Sequence, residues 1–371
     1  MYSPFALARS LAILLLVLFS ACGGRPAPRL PLFPLTAAWT VSLEDFTVSP
    51  LAADSRQVYV ATRDGALTAV DLATGEARWR VPDVAGTPAA TDGRVVVRGA
   101  TGTVYSLRPR DGAPRWTVDT GVAGTLPATL DRDRLYVAGQ GLVALDAAAG
   151  ERLWTRPVAA AITAPPVATA SRLLVGDADG FLRCLDRATG TELWSQPTGG
   201  PVLAPPLVDE RHGRVYLGTT DQRVVEFTLD RGKRGWAWPV GADVQAGGLL
   251  LPGRVVFAAF DDVLYALARG GNLAWRAPLP SRPLGAPALV RSYVVVVCRE
   301  NEIVGFTAAA GRPSGSLRTA AEIRTPLLVA GSRVVVGLRD RTVVAYALPE
   351  TPAPATPAEP PSPVEDQDVE G

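Results

Sequence analysis

The sequence predicts an all-β fold: an eight-bladed β-propeller whose blades are four-stranded antiparallel sheets. Three observations carry this. One pattern recurs eight times between residues 37 and 349. Tryptophans 39, 79, 116, 154, 194, 236 and 275 mark it at intervals of roughly forty residues. The last copy is incomplete, and the first residues of the repeat region supply the piece it lacks. A fixed period of this length signals units that each need a neighbour to bury a face.

Taken in chain order, residues 1–21 read as a lipoprotein signal peptide. Arg9 precedes the apolar run Leu11–Phe19, which is too short for the ~20 residues that span a bilayer. The run ends Leu18-Phe19-Ser20-Ala21-Cys22, which resembles the bacterial lipobox, with Phe19 where Leu is usual. Cys22 is then the lipidation site, and several acyl chains at ~0.8 kcal/mol per buried CH₂ make a firm anchor. The resemblance also implies the outer membrane, because Gly23 rather than Asp follows the cysteine. Residues 22–36 hold the lipidated cysteine and a Pro-rich tether.

The repeat is clearest at VYVATRDGALTAVDLATGEARW (58–79) and LLVGDADGFLRCLDRATGTELW (173–194). Further copies occupy 135–154 and 215–236, and degraded ones start at Val95, Val255, Tyr293 and Val334. Strand A lies near a proline. Strand B is a short apolar run, such as Val58-Tyr59-Val60, of the kind a doubly buried strand shows. Asp64-Gly65 and Asp179-Gly180 turn the chain into strand C. Asp71–Gly75 and Asp186–Gly190 form a second turn, capped by Asp and closed by Gly, before strand D with its Trp. One such sheet cannot bury both faces; eight packed radially can. The eighth copy stops after strand C, and Ala38–Leu43 reads as a D strand with no copy before it. The N-terminal strand should therefore complete the last blade and close the ring, removing two exposed edges. The seventh copy reads Ser314-Gly315-Ser316-Leu317 where Trp is expected, which predicts a weaker outer strand.

These motifs resemble the PQQ-like (pyrroloquinoline-quinone-type) propeller repeat, G-x-x-D-G-x-L-x-A-L-D-x-x-T-G-x-x-x-W, over nearly all of 38–348. Behind a lipobox, the array is similar to the BamB-type accessory lipoproteins of outer-membrane β-barrel assembly. Quinone enzymes built on this repeat carry acidic calcium ligands and often a vicinal cysteine pair; no adjacent cysteines occur here.

Residues 350–371 are Pro/Ala/Glu-rich, with six acids and no base, and read as a disordered tail. The near-neutral total, Lys+Arg 37 against Asp+Glu 36, thus combines a mildly basic propeller (37–349) with an acidic end. Nothing in this balance points to nucleic acid. With one histidine, His212, and no hydrolase or phosphate-loop motif, no catalytic, cofactor-binding or metal-binding residue is assigned. Cys184 and Cys298 fall three blades apart and read as buried thiols. His212 sits in a turn and reads as solvated.

The resemblance implies a non-enzymatic, lipid-anchored scaffold of the outer membrane that faces the periplasm as a monomer. Its partner would be the barrel-assembly subunit or another envelope protein. The family's contact runs through a loop before an A strand. The candidates are Ala159, Ala160, Ala161, Ile162 and Thr163, and Gly199, Gly200, Pro201, Val202 and Leu203. Alternatives are a PQQ-dependent quinoprotein dehydrogenase and a ligand-binding or sensory propeller of the envelope. A second pattern is an arginine before every B strand: Arg56, Arg94, Arg134, Arg172, Arg214, Arg254, Arg291 and Arg333. Because A–B turns share one face, they predict a basic ring. Either each pairs with a C–D turn acid of its own face (Asp71, Asp111, Asp146, Asp186, Asp230), or the ring makes a polarised disc that selects partners.

Overall fold

The computed structural model describes residues 31–84 and 86–349; the signal peptide, Cys22 and the acidic tail lie outside them. Among the described residues, strands pair into eight four-stranded antiparallel sheets, the blades of a propeller. Seven are simple meanders. Blade 1 runs Ala52–Ala53 (A), Gln57–Ala61 (B), Leu67–Asp71 (C) and Ala77–Val81 (D). Blade 8 takes its D strand from the other end of the chain: Thr36–Ser42 pairs with Thr342–Ala347, Trp39 lying opposite Ala345. The expected closure is therefore present.

Among the described residues there is no single central core. Eight apolar clusters fill the eight boundaries between consecutive blades, including that between blades 8 and 1. Strand alternation explains this, because successive side chains point to opposite faces of a sheet. In blade 1, Val58 and Val60 join Trp39, Val335 and Ala345 of blade 8. Their neighbours Tyr59 and Ala61 join Val95 and Val97 of blade 2. A strand shared between two clusters has no polar face, hence the unbroken apolar runs.

The tryptophans fasten these boundaries. Each reaches the C–D turn of the next blade. The Trp39 indole N–H donates to Leu72 O at 2.9 Å, Trp79 to Pro109 O at 2.7 Å and Trp236 to Arg269 O at 2.8 Å. The Trp116 N–H is the exception, buried with no partner among the described residues. The turn glycine lies against the ring: a Cβ at Gly190, where φ is +73°, would stand 2.8 Å from Trp154. Only glycine meets both demands.

The propeller begins earlier than composition suggests. Leu32 is fully buried and Leu35 nearly so, packed with Val290, Tyr293 and Val334 between blades 7 and 8. In blade 7, Gly315 lies opposite Gly305, the register at which Ala69 faces Trp79 in blade 1. Gly315 therefore holds the tryptophan's place. Phe33 and Leu32 fill it, close enough that a Cβ on Gly305 would meet either side chain at 2.7 Å. The last residues of the stretch read as tether thus replace a missing tryptophan, and the outer strand of blade 7 is covered rather than weak.

Candidate interaction surfaces

Alternating strand direction places all A–B and C–D turns on one face, and the B–C tips with the D–A loops on the other. On the first face the eight arginines start, or just precede, their B strands, as predicted. Two lie near expected C–D turn acids, Arg94 near Asp146 and Arg134 near Asp186, but most of the ring's hydrogen bonds go elsewhere. Five donate to a backbone carbonyl at the C-strand end of the next blade. Arg134 reaches Arg187 O at 2.6 Å, Arg172 reaches Asp230 O at 3.0 Å and Arg254 reaches Ala309 O at 2.6 Å. Arg291 reaches Pro349 O at 2.5 Å, and Arg333 closes the ring onto Ala73 O of blade 1 at 2.9 Å. A guanidinium presents several donors and can span such a boundary where an acid of its own blade would hold it back. The turn aspartates are already engaged: Asp71 and Asp186 each accept the N–H groups two and three residues on. Arg214 alone of the eight meets an acid of its own blade beyond its adjoining turn, Glu226 at 3.4 Å. Among the described residues, Arg56 and Arg94 make no hydrogen bond or close ion pair across a boundary, although each acts on an acid of the next blade, Asp92 and Asp146. The ring is five inter-blade staples, with none from Arg56, Arg94 or Arg214.

On the opposite face the two candidate loops are adjacent and joined. The Thr163 hydroxyl donates to Val202 O at 2.6 Å. Ile162 and Val202 are plugs rather than contacts, both buried, Ile162 bridging to Asp177 and Val202 N donating to Asp177 O at 3.1 Å. The exposed members are Ala159, Gly199 and Pro201; Ala160, Ala161, Thr163, Gly200 and Leu203 are half-buried. Beside Ala159 and Ala160 a cleft of about 210 Å³ opens between blades 3 and 4. Its charges are internally matched: Arg183 pairs with Asp177 at 2.9 Å and Glu192 at 3.4 Å, and Glu192 pairs with Arg156 at 2.8 Å. What remains for a partner is a small apolar floor with a neutralised rim. Sequence reasoning missed a second patch on this face, where Phe46 and Val48 are exposed beside Arg63 and Arg339 in the loop leading into blade 1. Arg63 stacks on Phe46 at 4.9 Å. The loop joins the closing strand to the first full blade, so it falls outside every repeat copy and gave no periodic signal.

Other singled-out residues have structural partners. His212 Nδ1 lies 2.9 Å from the buried Asp209 carboxylate, and its Nε2 lies 3.0 Å from Arg269 Nη1. Facing a guanidinium donor, Nε2 is used as an acceptor. The residue is exposed, as expected of a turn histidine, and also fastens its turn. Cys184 and Cys298 are buried and free; burial pushes the Cys298 thiol up to about 12, far from the thiolate that reactivity needs. Arg98, not anticipated, is a buried cation whose guanidinium donates to Val122 O at 3.0 Å and Leu126 O at 2.7 Å. Among the described residues, no three His, Cys, Asp or Glu side chains are grouped to hold a metal.

With this geometry in hand, comparison with known proteins separates fold from family. BamB from Moraxella catarrhalis superposes with a TM-score of 0.73 at 20% identity, covering 85% of this chain and 98% of that one. Quinohemoprotein alcohol dehydrogenase from Comamonas testosteroni superposes at 0.69 and 14% identity, covering 85% of this chain and 78% of that one. At such identities both show the shared propeller alone. Among curated proteins, the serine/threonine-protein kinase AfsK of Streptomyces coelicolor is 38% identical over 88 residues, 23% of this chain. The chain spans only 11% of that kinase's length. The family model described as outer membrane protein assembly factor BamB matches residues 36–164, 138–266 and 259–348, the whole ring from closing strand to last strand. The chain therefore belongs to the BamB-type family of PQQ-like repeat propellers.

Proposed function

We propose that this protein is a non-enzymatic scaffold, anchored in the outer membrane through lipidated Cys22, that holds a subunit of the β-barrel assembly machinery on its D–A and B–C face. The observation that carries the reading is the Thr163–Val202 link. It fuses the loops entering blades 4 and 5 into one rigid platform beside the blade 3–4 cleft. Rigid loops cost little ordering entropy on binding. Quinone dehydrogenase chemistry, suggested by one structural neighbour, does not fit the donor set described above. Catalysis at His212 does not fit either, since both ring nitrogens are occupied.

Two measurements test this. Affinity purification of the full-length lipoprotein from solubilised envelopes should recover the barrel-forming subunit. Substituting Ala159 and Pro201 with Glu should abolish the recovery while leaving the melting temperature unchanged. Recovery of other envelope proteins but no barrel-assembly component would overturn the assignment. Cys22→Ala should move the protein from the membrane pellet to the soluble fraction, still folded; retention in the pellet would exclude the lipid as anchor.

A further inference from the structure

One gap in the arginine staples is a site. Where Arg56 reaches no carbonyl of blade 2, an open cleft of about 750 Å³ lies between blades 1 and 2 on the A–B/C–D face, with Ser55–Asp92 and Trp79–Pro109 hydrogen bonds joining the blades beside it. Arg56, Arg110 and Arg115 line it, and all three are exposed. Its acids are already satisfied. Asp54 accepts the N–H groups of Arg56 and Gln57 and the Tyr59 hydroxyl. Asp71 is held by Arg78 at 2.7 Å, and Asp92 accepts Ser55 N–H at 2.7 Å. The side chains of Arg56, Arg110 and Arg115 make no hydrogen bond or close ion pair among the described residues, although Arg56 and Arg110 act on the Asp92 and Asp111 carboxylates from a distance. Arg115 lies against a like charge, Arg94, whose Nε is buried without a partner. Four arginines face three aspartates in the lining, and this exposed excess of positive charge favours an anion.

The chain carries a matching anion. Pro349, the last described residue, lies on this face, held by Arg291 at the boundary of blades 7 and 8. The cleft is two blades further round the ring. Residues 350–371 hold six acids and no base, and four of the acids, Glu365, Asp366, Asp368 and Glu370, are gathered near the end. The segment before them is rich in proline and alanine. In an extended proline-type conformation it reaches up to roughly 45 Å from Pro349. A tethered ligand of that reach acts at an effective concentration in the millimolar range.

We propose that the carboxylate cluster Glu365–Glu370 docks among Arg56, Arg110 and Arg115 in the blade 1–2 cleft, so that an external carboxylate-rich peptide must displace it. The cleft is then a binding site for acidic peptide, occupied by the protein's own terminus. A dye-labelled hexaglutamate peptide is the probe, titrated by fluorescence anisotropy against three full-length proteins. These are the wild type, a variant with Glu365 and Glu370 changed to Gln and Asp366 and Asp368 changed to Asn, and that variant with Arg56, Arg110 and Arg115 changed to Ser. At low salt the tail-neutralised protein should bind at least fivefold more tightly than wild type. The arginine replacements should remove that gain, and 0.5 M salt should erase all differences. Equal affinity of wild type and tail-neutralised protein, or no binding by either, overturns docking of the tail. Binding that survives the arginine replacements overturns the cleft as its site. The three arginines are exposed and support nothing, so thermal melts of the three proteins should coincide. Should the Ser variant melt early, Arg110→Glu alone makes the same test.

Discussion

A methyl group at Gly190 would stand 2.8 Å from Trp154 on a backbone with φ +73°. Gly190→Ala should destabilise the protein by about 2–4 kcal/mol, combining left-handed strain with overpacking. Urea denaturation measures it, and a change under 0.5 kcal/mol would mean that the turn yields freely. The arginine staples act at the same scale. Hydrogen bonds from charged donors contribute ~1.5–3 kcal/mol, less where water competes. Replacing Arg134 and Arg172 with Ser should lower the melting temperature and leave partner recovery unchanged. The opposite result would restore the basic ring as a docking surface. Asp71 adds a pH dependence. The Arg78 side chain and then the turn amides hold its carboxyl at about 2, below the unfolded value near 4. A depressed folded pKa stabilises above the unfolded value, and that contribution is lost as pH falls through about 2. Asp71→Asn should therefore lower stability at pH 7 and flatten the loss between pH 4 and 2, read from melts across that range.

Among the elements, the segment before the closing strand was the least legible. Prolines 31 and 34 suggested a spacer, and nothing in residues 31–35 repeats. Their role appears only against the absent tryptophan at Gly315, and periodicity cannot reveal a substitute supplied from elsewhere in the chain. Leu32→Ala should cost about 2–5 kcal/mol, the range for a buried leucine. Gly315→Trp should be equally harmful, since its ring would compete with Phe33. If that change instead stabilised the protein, the Phe33 plug would be dispensable. Deleting residues 31–44 should destabilise far more than deleting 350–371, which follow the last strand of the ring in sequence; equal melting temperatures would place closure elsewhere. Strands, turns and blade count were legible because each repeat spells them out with the same Asp, Gly and Trp spacing. The loops entering blades 4 and 5 were legible as places. Their burial was not, because Ile162 and Val202 look like any exposed apolar residue until the neighbouring B strand covers them.

For the whole molecule, the ring divides its stability evenly. Eight similar clusters and a staple or indole bond at nearly every boundary leave no dominant core. The positions of the arginines were visible in the sequence, but their partners were not, because a backbone carbonyl one blade away leaves no mark on composition. The blade 8 pairing has a consequence in time. Thr36–Ser42 is synthesised first, yet its partner Thr342–Ala347 emerges roughly 300 residues later. Until that partner is made the opening strand cannot pair, so the longest-range contact of the fold is also the one that completes it. A circular permutant that moves residues 31–43 to follow Ala347 would turn the most distant pairing into a hairpin. It should refold faster than the natural order while unfolding at a similar rate.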